Sequence, residues 1–415
     1  MKKIISALLT VALAVSVTSM SACGDKKEEP SAKNSSSTSA QSSEKKSAAA
    51  SVDPMEVSVD TDKPKITQAQ IDELNKKLTD AQAVPTFTSS AEKIVGRDCA
   101  KDLTVAVIAE NSGNSYHAQL NRNFVRAADR MGVKSIDTPE TDGTVSKLND
   151  GLSEAVKKKN SMVFLSGDIP KDTISSYIEN AQANGIEVIS AGSMGTDQKD
   201  SYVDYTVPIP YENAGALMAD WGIVKTQGKL NALIVNCTDS ALAPTLFRGF
   251  KAEFEKYVSA GEGNCTIVSG TSIELGNGLA NKIKSALEVD HKINYIFVLD
   301  DGAINDAVSA TIQAGTDVKI VATGGSSEDM DFAQSGSIEM LVAQSYEWTA
   351  YTMLDYALRL SGGAALPEKI DVPFRVLTKD VIKKAIDDYK SDFDGFHEIC
   401  FGDAFITGYN ELWSY

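Results

Sequence analysis

The sequence is poor in the residues that most often carry catalysis or bind metals. Its 415 residues include only 3 histidines and 5 cysteines. None falls in a Cys-x-x-Cys or Cys/His spacing, which argues against a zinc site. Basic residues are outnumbered, 40 Lys plus Arg against 57 Asp plus Glu, for a net charge of −17. Such a surface repels phosphate backbones and anionic lipid headgroups, so nucleic acid is excluded as a partner and membrane contact requires a separate anchor. No Gly-x-Ser-x-Gly elbow is present, and no Ser/His/Asp arrangement is legible. Leu275–Asn281 lacks the third glycine of a dinucleotide fingerprint. The stretch around Asp392 and Asp394 resembles a calcium loop, but Lys390 and Phe401 occupy its first and last ligand positions. No catalytic, cofactor-binding or metal-binding motif is therefore legible, and no cofactor or metal is expected. What is present is globular: 42 % hydrophobic residues supply a core, and the length suits two domains or one two-lobed unit.

The N-terminus reads as an export signal. Lys2 and Lys3 precede a mainly apolar run over 4–17, shorter than the ~20 residues that cross a bilayer. Ser21 and Ala22 then stand directly before Cys23, a pattern similar to a bacterial lipobox, in which Cys23 would be lipidated as the first mature residue. The alternative is an ordinary signal peptide with a coincidental cysteine. Residues 24–51 are rich in Ser, Lys, Glu and Ala and read as a tether with a mean span of roughly 30 Å. The expected location is outside the cytoplasm, on the outer face of the cell membrane. Of the remaining cysteines, Cys99 and Cys400 lie near opposite ends of the folded part, where a disulfide between them is one alternative and isolated thiols the other.

From residue 103 short apolar strands alternate with amphipathic helices. The first long helix carries Leu120, Phe124, Ala127, Ala128 and Met131 on one face, and Gly132 ends it. Further helices are predicted over 145–158, 173–184, 246–257, 279–287 and 304–314. Strands apolar on both faces between helices predict parallel sheets covered on both sides. Two such series, broken near Pro208 and Pro210, predict two doubly wound α/β lobes.

The order of these elements, with the phrase Val107-Ile108-Ala109-Glu110-Asn111-Ser112-Gly113-Asn114-Ser115-Tyr116, resembles the ribose/galactose-type solute-binding proteins of ABC importers. Gly185-Ile186-Glu187-Val188-Ile189, Arg248-Gly249-Phe250, Phe297-Val298-Leu299-Asp300-Asp301 and Leu341-Val342-Ala343-Gln344 extend the resemblance over roughly 102–378. It implies a type I periplasmic-binding fold with three crossovers and the ligand in the cleft. The expected division is a signal peptide at 1–22, a linker at 23–64 and an N-terminal helical extension at 65–101. An N-lobe of 102–207 plus 345–364 and a C-lobe of 208–344 plus 365–378 follow, then a C-terminal extension at 379–415. The implied partners are a small ligand and an ABC permease, with the protein acting as a monomer.

Open α/β sheets bind ligands beyond the carboxyl ends of their strands. The tips on this reading hold Asn114, Tyr116 and His117, then Asp168, Ser193, Asp239 and Asp301, with Gln344 at the hinge. The resemblance makes Asn114, Tyr116 and His117 ligand-facing, Asp301 an acceptor from hydroxyls, and Gln344 a ligand-contacting amide. Each also has a plainer use. Tyr116 and His117 would then pack at a helix start, and Asp301 would cap the helix beginning near Ala303. Asp168 and Asp239 stand evenly between capping and binding. Glycines at the tips would let backbone approach a ligand. The sequence departs from the family at Gly192-Ser193, where an Asp-Arg pair is usual, and at Ala243-Pro244-Thr245, where an Arg is usual. Acidic tips without arginine predict a neutral or cationic ligand, a carbohydrate first, with a nucleoside or signalling molecule as the alternative. A ligand-presenting sensor is the other functional reading.

Overall fold

A computed structural model describes residues 55–60, 62–167, 169–192, 200–240, 242–369, 372–389 and 400–414. The signal peptide, Cys23, most of the linker, Asp168 and Ser193 lie outside the described residues.

Two helices, α1 (Gln68–Gln82) and α2 (Gly96–Ala100), precede the first sheet. That sheet contains β1 (Thr104–Ala109), β2 (Ser135–Asp137), β3 (Met162–Ser166), β4 (Glu187–Ala191) and β5 (Tyr205–Val207). Its order is β2-β1-β3-β4-β5, parallel throughout. Helices α3 (Ser115–Met131), α4 (Val145–Lys158) and α5 (Ser175–Ala183) connect the strands. The predicted apolar face of α3 is buried from Leu120 to Met131, and Gly132 closes the helix at φ 80° with its N–H on Ala128 O and Asp129 O. Only glycine adopts that left-handed geometry without strain. Burying Leu120 and Phe124 contributes about 1.5–3 kcal/mol each.

The chain then crosses to α6 (Tyr211–Thr226) and a second sheet of order β11-β10-β9-β8-β6-β7. Its strands are β6 (Asn231–Cys237), β7 (Asn264–Gly270), β8 (Tyr295–Val298), β9 (Lys319–Gly324), β10 (Met340–Gln344) and β11 (Phe374–Leu377). The helices between them are α7 (Leu242–Tyr257), α8 (Gly278–Val289), α9 (Ile304–Ala314) and α10 (Ser327–Ser335). Only β11 runs antiparallel, against β10. The fold is thus the expected pair of parallel-sheet α/β lobes.

The second and third crossings bracket α11 (Tyr346–Gly362), which leaves the C-lobe sheet and packs on α3 of the N-lobe. One residue, Ser345, separates β10 from α11, and its hydroxyl accepts from Trp348 N at 3.1 Å as the helix cap. The resemblance phrase at Arg248-Gly249-Phe250 marks another close contact. A Cβ on Gly249 would lie 1.9 Å from Glu212 O, so glycine is what lets α7 touch α6.

Beyond the sheets lie α12 (Lys379–Tyr389) and α13 (Ala404–Leu412). The disulfide considered for Cys99 and Cys400 is not formed: Cys99, Cys237, Cys265 and Cys400 are all free. Cys99 sits against Gly362 at the end of α11, whereas Cys400 is buried in the C-lobe core with Leu377 and Ile382.

Candidate functional site

The N-lobe wall of the cleft begins where β1 runs into α3. Asn114 is the N-cap of α3, its Oδ1 accepting from Tyr116 N at 2.8 Å. Capping aims Tyr116 and His117 back over the strand ends. His117 is buried, with Nδ1 3.0 Å from Asn111 O, which fixes the proton there in the neutral ring. Burial lowers its pKa, against the opposing pull of the Asn111 carbonyl and Glu110.

Two of the glycines at the strand tips make room for these side chains. A Cβ on Gly167 would meet His117 Nε2 at 2.4 Å, and a Cβ on Gly192 would meet Tyr116 Oη at 2.4 Å. Both glycines have positive φ, 98° and 80°. The sequence thus departs from the Asp-Arg pattern at Gly192 because a tyrosine hydroxyl stands where a side chain would project.

The C-lobe wall is acidic. Asp239 accepts from Ser272 N and Oγ at 3.0 and 2.6 Å, tying the tip of β6 to that of β7. Burial alone would raise its carboxyl, but the Ser272 bonds outweigh it and hold it below the usual range. Asp239 thus has a clear structural partner. Asp300 accepts from Gly302 N at 3.1 Å and caps the short turn before α9. It is therefore Asp300, rather than Asp301, that does the capping considered for Asp301. Asp329 accepts from Gly325 N and Ser326 N at 2.9 and 2.8 Å.

Asp301 stands half-buried among these acids. Burial, and then Asp329 and Asp300, push its carboxyl well above the ordinary range. Gly324 permits the crowding, since a Cβ there would meet Asp329 Oδ2 at 2.4 Å and Asp301 Cβ at 3.3 Å. A carboxyl that keeps its proton near neutrality both donates and accepts, which suits hydroxyls.

Tyr346 joins the two walls. Its ring meets Tyr116 edge-on at 4.6 Å and 81°. Its hydroxyl is held protonated by burial and by Asp301 and Asp329. Behind it, Tyr211 Oη lies 2.9 Å from Gly192 O and 3.0 Å from Gln344 Oε1, sharing one proton between the N-lobe tip and the hinge. Gln344 Nε2 donates to Thr349 Oγ1 at 2.8 Å, which donates on to Ser345 O. Gln344 is buried, and its two polar atoms already serve the crossover.

The structure packs Tyr116 against His117 and Tyr346, sets Tyr346 near Asp301, links Gln344 to Tyr211, leaves Asn114 exposed, and binds Asp239 to the neighbouring loop. Sequence reasoning missed Tyr211, Asp329 and Thr349. The available signal for Tyr211 was its place just after Pro208-Ile209-Pro210, at the first crossing. A separate groove of about 640 Å³, walled by Trp221, Lys225, Glu339 and Lys379, lies at the opposite ends of the C-lobe strands. It shares no residue with the cleft, and the indole of Trp221 is already bonded to Glu339 at 3.0 Å.

Comparison with known proteins agrees with the two-lobed fold. A solute-binding protein of an Agrobacterium vitis ABC transporter, bound to α-D-tagatopyranose, superposes with a TM-score of 0.57 at 17 % identity, over 70 % of this chain and 97 % of that one. An arabinose-binding protein from Geobacillus stearothermophilus gives 0.55 at 19 % identity, over 68 % and 99 %. The XylFII–LytSN complex gives 0.52 at 17 % identity, over 67 % and 98 %. At such identities the likeness is one of fold. No curated protein sequence matches. Residues 105–365 match the periplasmic binding protein domain, and the chain belongs to that family: a type I binding protein rather than an enzyme.

Proposed function

We propose that this protein is an extracytoplasmic receptor, anchored through a lipid on Cys23, that closes on a small neutral polar ligand and delivers it to an ABC permease. A carbohydrate is the first choice, in line with the sugars bound by proteins of similar fold. The observation that carries the reading is the convergence of both walls on Tyr346, which touches Tyr116 on one side and faces Asp301 and Asp329 on the other. Aromatic faces cover apolar ring surface, while carboxyls and amides fix hydroxyls by directed hydrogen bonds. In this reading Asp301 and His117 meet the ligand directly, Asn114 at the rim, Tyr116 by its ring, and Gln344 through the hinge. Asp168, Ser193 and Asp239 complete the loops of the tips.

None of the described tip residues is Arg or Lys. An anionic ligand would meet the acids without a bidentate partner. Closure then follows from contacts that only the closed pair of lobes supplies at once. Presentation to a signalling partner is the second reading, favoured by a similar fold occurring in a two-protein complex.

Thermal unfolding with a panel of pentoses, hexoses, nucleosides and amines tests the proposal. A ligand at 100 times its Kd adds about 2.7 kcal/mol of stability. Asp301→Ala and Gln344→Ala should each weaken binding at least about tenfold, or about 1.4 kcal/mol. Unchanged affinity in both variants, or a phosphate ester or dicarboxylate as the strongest binder, refutes it.

A further inference from the structure

The two segments outside the sheets run side by side from one lobe to the other. The first starts on the C-lobe, where Ile71, Leu74 and Leu78 of α1 are buried and Lys77 Nζ pairs with the buried Asp220 at 2.6 Å. It ends on the N-lobe, where α2 packs against α11 and α3. The second also leaves the C-lobe, from Cys400 and Phe401 in that lobe's core. It ends on α11, where Phe405 stacks on Trp348 at 4.8 Å and Trp413 Nε1 donates to Asp355 Oδ1 at 2.9 Å.

They are fastened together at both ends. On the C-lobe side the buried Arg375 of β11 donates through Nε to Gln82 O at 2.9 Å and through Nη1 to Cys400 O. On the N-lobe side Ile94 N donates to Leu412 O at 2.8 Å and Gly96 N to Trp413 O at 3.0 Å. Phe87 of the first segment lies 4.7 Å from Tyr409 of the second and 6.0 Å from Trp348 of α11.

The free runs between the anchors are short. Four residues, 83–86, one of them Pro85, separate Gln82 from Phe87, and three residues, 402–404, separate Phe401 from Phe405. Fully extended, such runs reach only about 14–18 Å. Both runs end at Trp348 of α11, three residues past Ser345 at the second crossing.

We propose that the two terminal segments form a doubled strap across the hinge that limits how far the lobes open. The strap acts on the chain without ligand, so its test is separate from that of the binding reading. Spin labels introduced as non-natural residues at the exposed positions Lys157 on α4 and Val289 on α8 report the interlobe distance in the full-length protein without ligand. Four glycines inserted between Val84 and Pro85, and four between Gly402 and Asp403, slacken each run by up to about 13 Å while leaving every anchor residue in place. The expected result is a longer and broader distance distribution than in the parent chain. Arg375→Gln, which loosens both C-lobe anchors, should shift it the same way; if that variant does not fold, the insertions decide alone. A slackened chain whose distances superpose on the parent's, whether or not its unfolding temperature has moved, overturns the proposal and makes the segments a passive brace.

Discussion

Gly192→Ala tests the cleft wall at its tightest point. The substitution has two separable costs. At φ 80° an L-residue pays roughly 1–2 kcal/mol for left-handed backbone. The new methyl also lies 2.4 Å from Tyr116 Oη, so the phenol must move and surrender part of its edge-on contact with Tyr346, a pair worth about 0.5–1.5 kcal/mol. The phenol's ring carbon Cζ lies 3.7 Å from the same point, an ordinary contact. Tyr116→Phe therefore removes the collision and leaves the backbone cost. In a double-mutant cycle read by urea unfolding, Gly192→Ala should cost about 2–3 kcal/mol in the parent and about 1–2 kcal/mol in the Tyr116→Phe background. Additive effects, within about 0.5 kcal/mol, would show that Tyr116 does not occupy the space at Gly192 and would remove the explanation for the missing Asp-Arg pair.

Two further outcomes follow from the same geometry. Asp301 is held above its unfolded pKa, so its contribution is fully present below the ordinary carboxylate range and is lost as pH rises through the raised value. Asp301→Asn should therefore flatten the decline in urea midpoint between acid and neutral pH, and an unchanged profile would contradict the burial of that carboxyl among Asp329 and Asp300. Tyr211→Phe removes the proton shared by Gly192 O and Gln344 Oε1, and should cost about 1 kcal/mol in the same assay; a neutral effect would show that the link adds nothing to the hinge.

Periodicity located most of the fold. The helices at 145–158 and 304–314 agree with the structure to the residue, because each has one apolar face and a polar one. By contrast, α6 is buried from Tyr211 to Val224 on nearly all sides and shows no stripe to read. Similarly α11 is buried almost throughout. The strand β5 is an edge strand of three residues, too short for an alternation to register. At the site, residue types were readable but directions were not. Nothing in a glycine's position says whether a ligand or the protein's own tyrosine fills the space beside it. Nor could the pairing of Asp239 with Ser272, on a loop 33 positions away, be read from either residue alone.

Ser345 is a one-residue link whose neighbours on each side are committed, Gln344 to a strand pair with Phe374 and Tyr346 to a helix. At that crossing the chain offers only a couple of soft torsions to absorb relative motion. Movement there has to be a swivel about a point rather than a sliding of one surface over another. The aperture at the far rim then follows an arc whose centre lies beside the tyrosine pair, so a small twist at the root is magnified at the mouth.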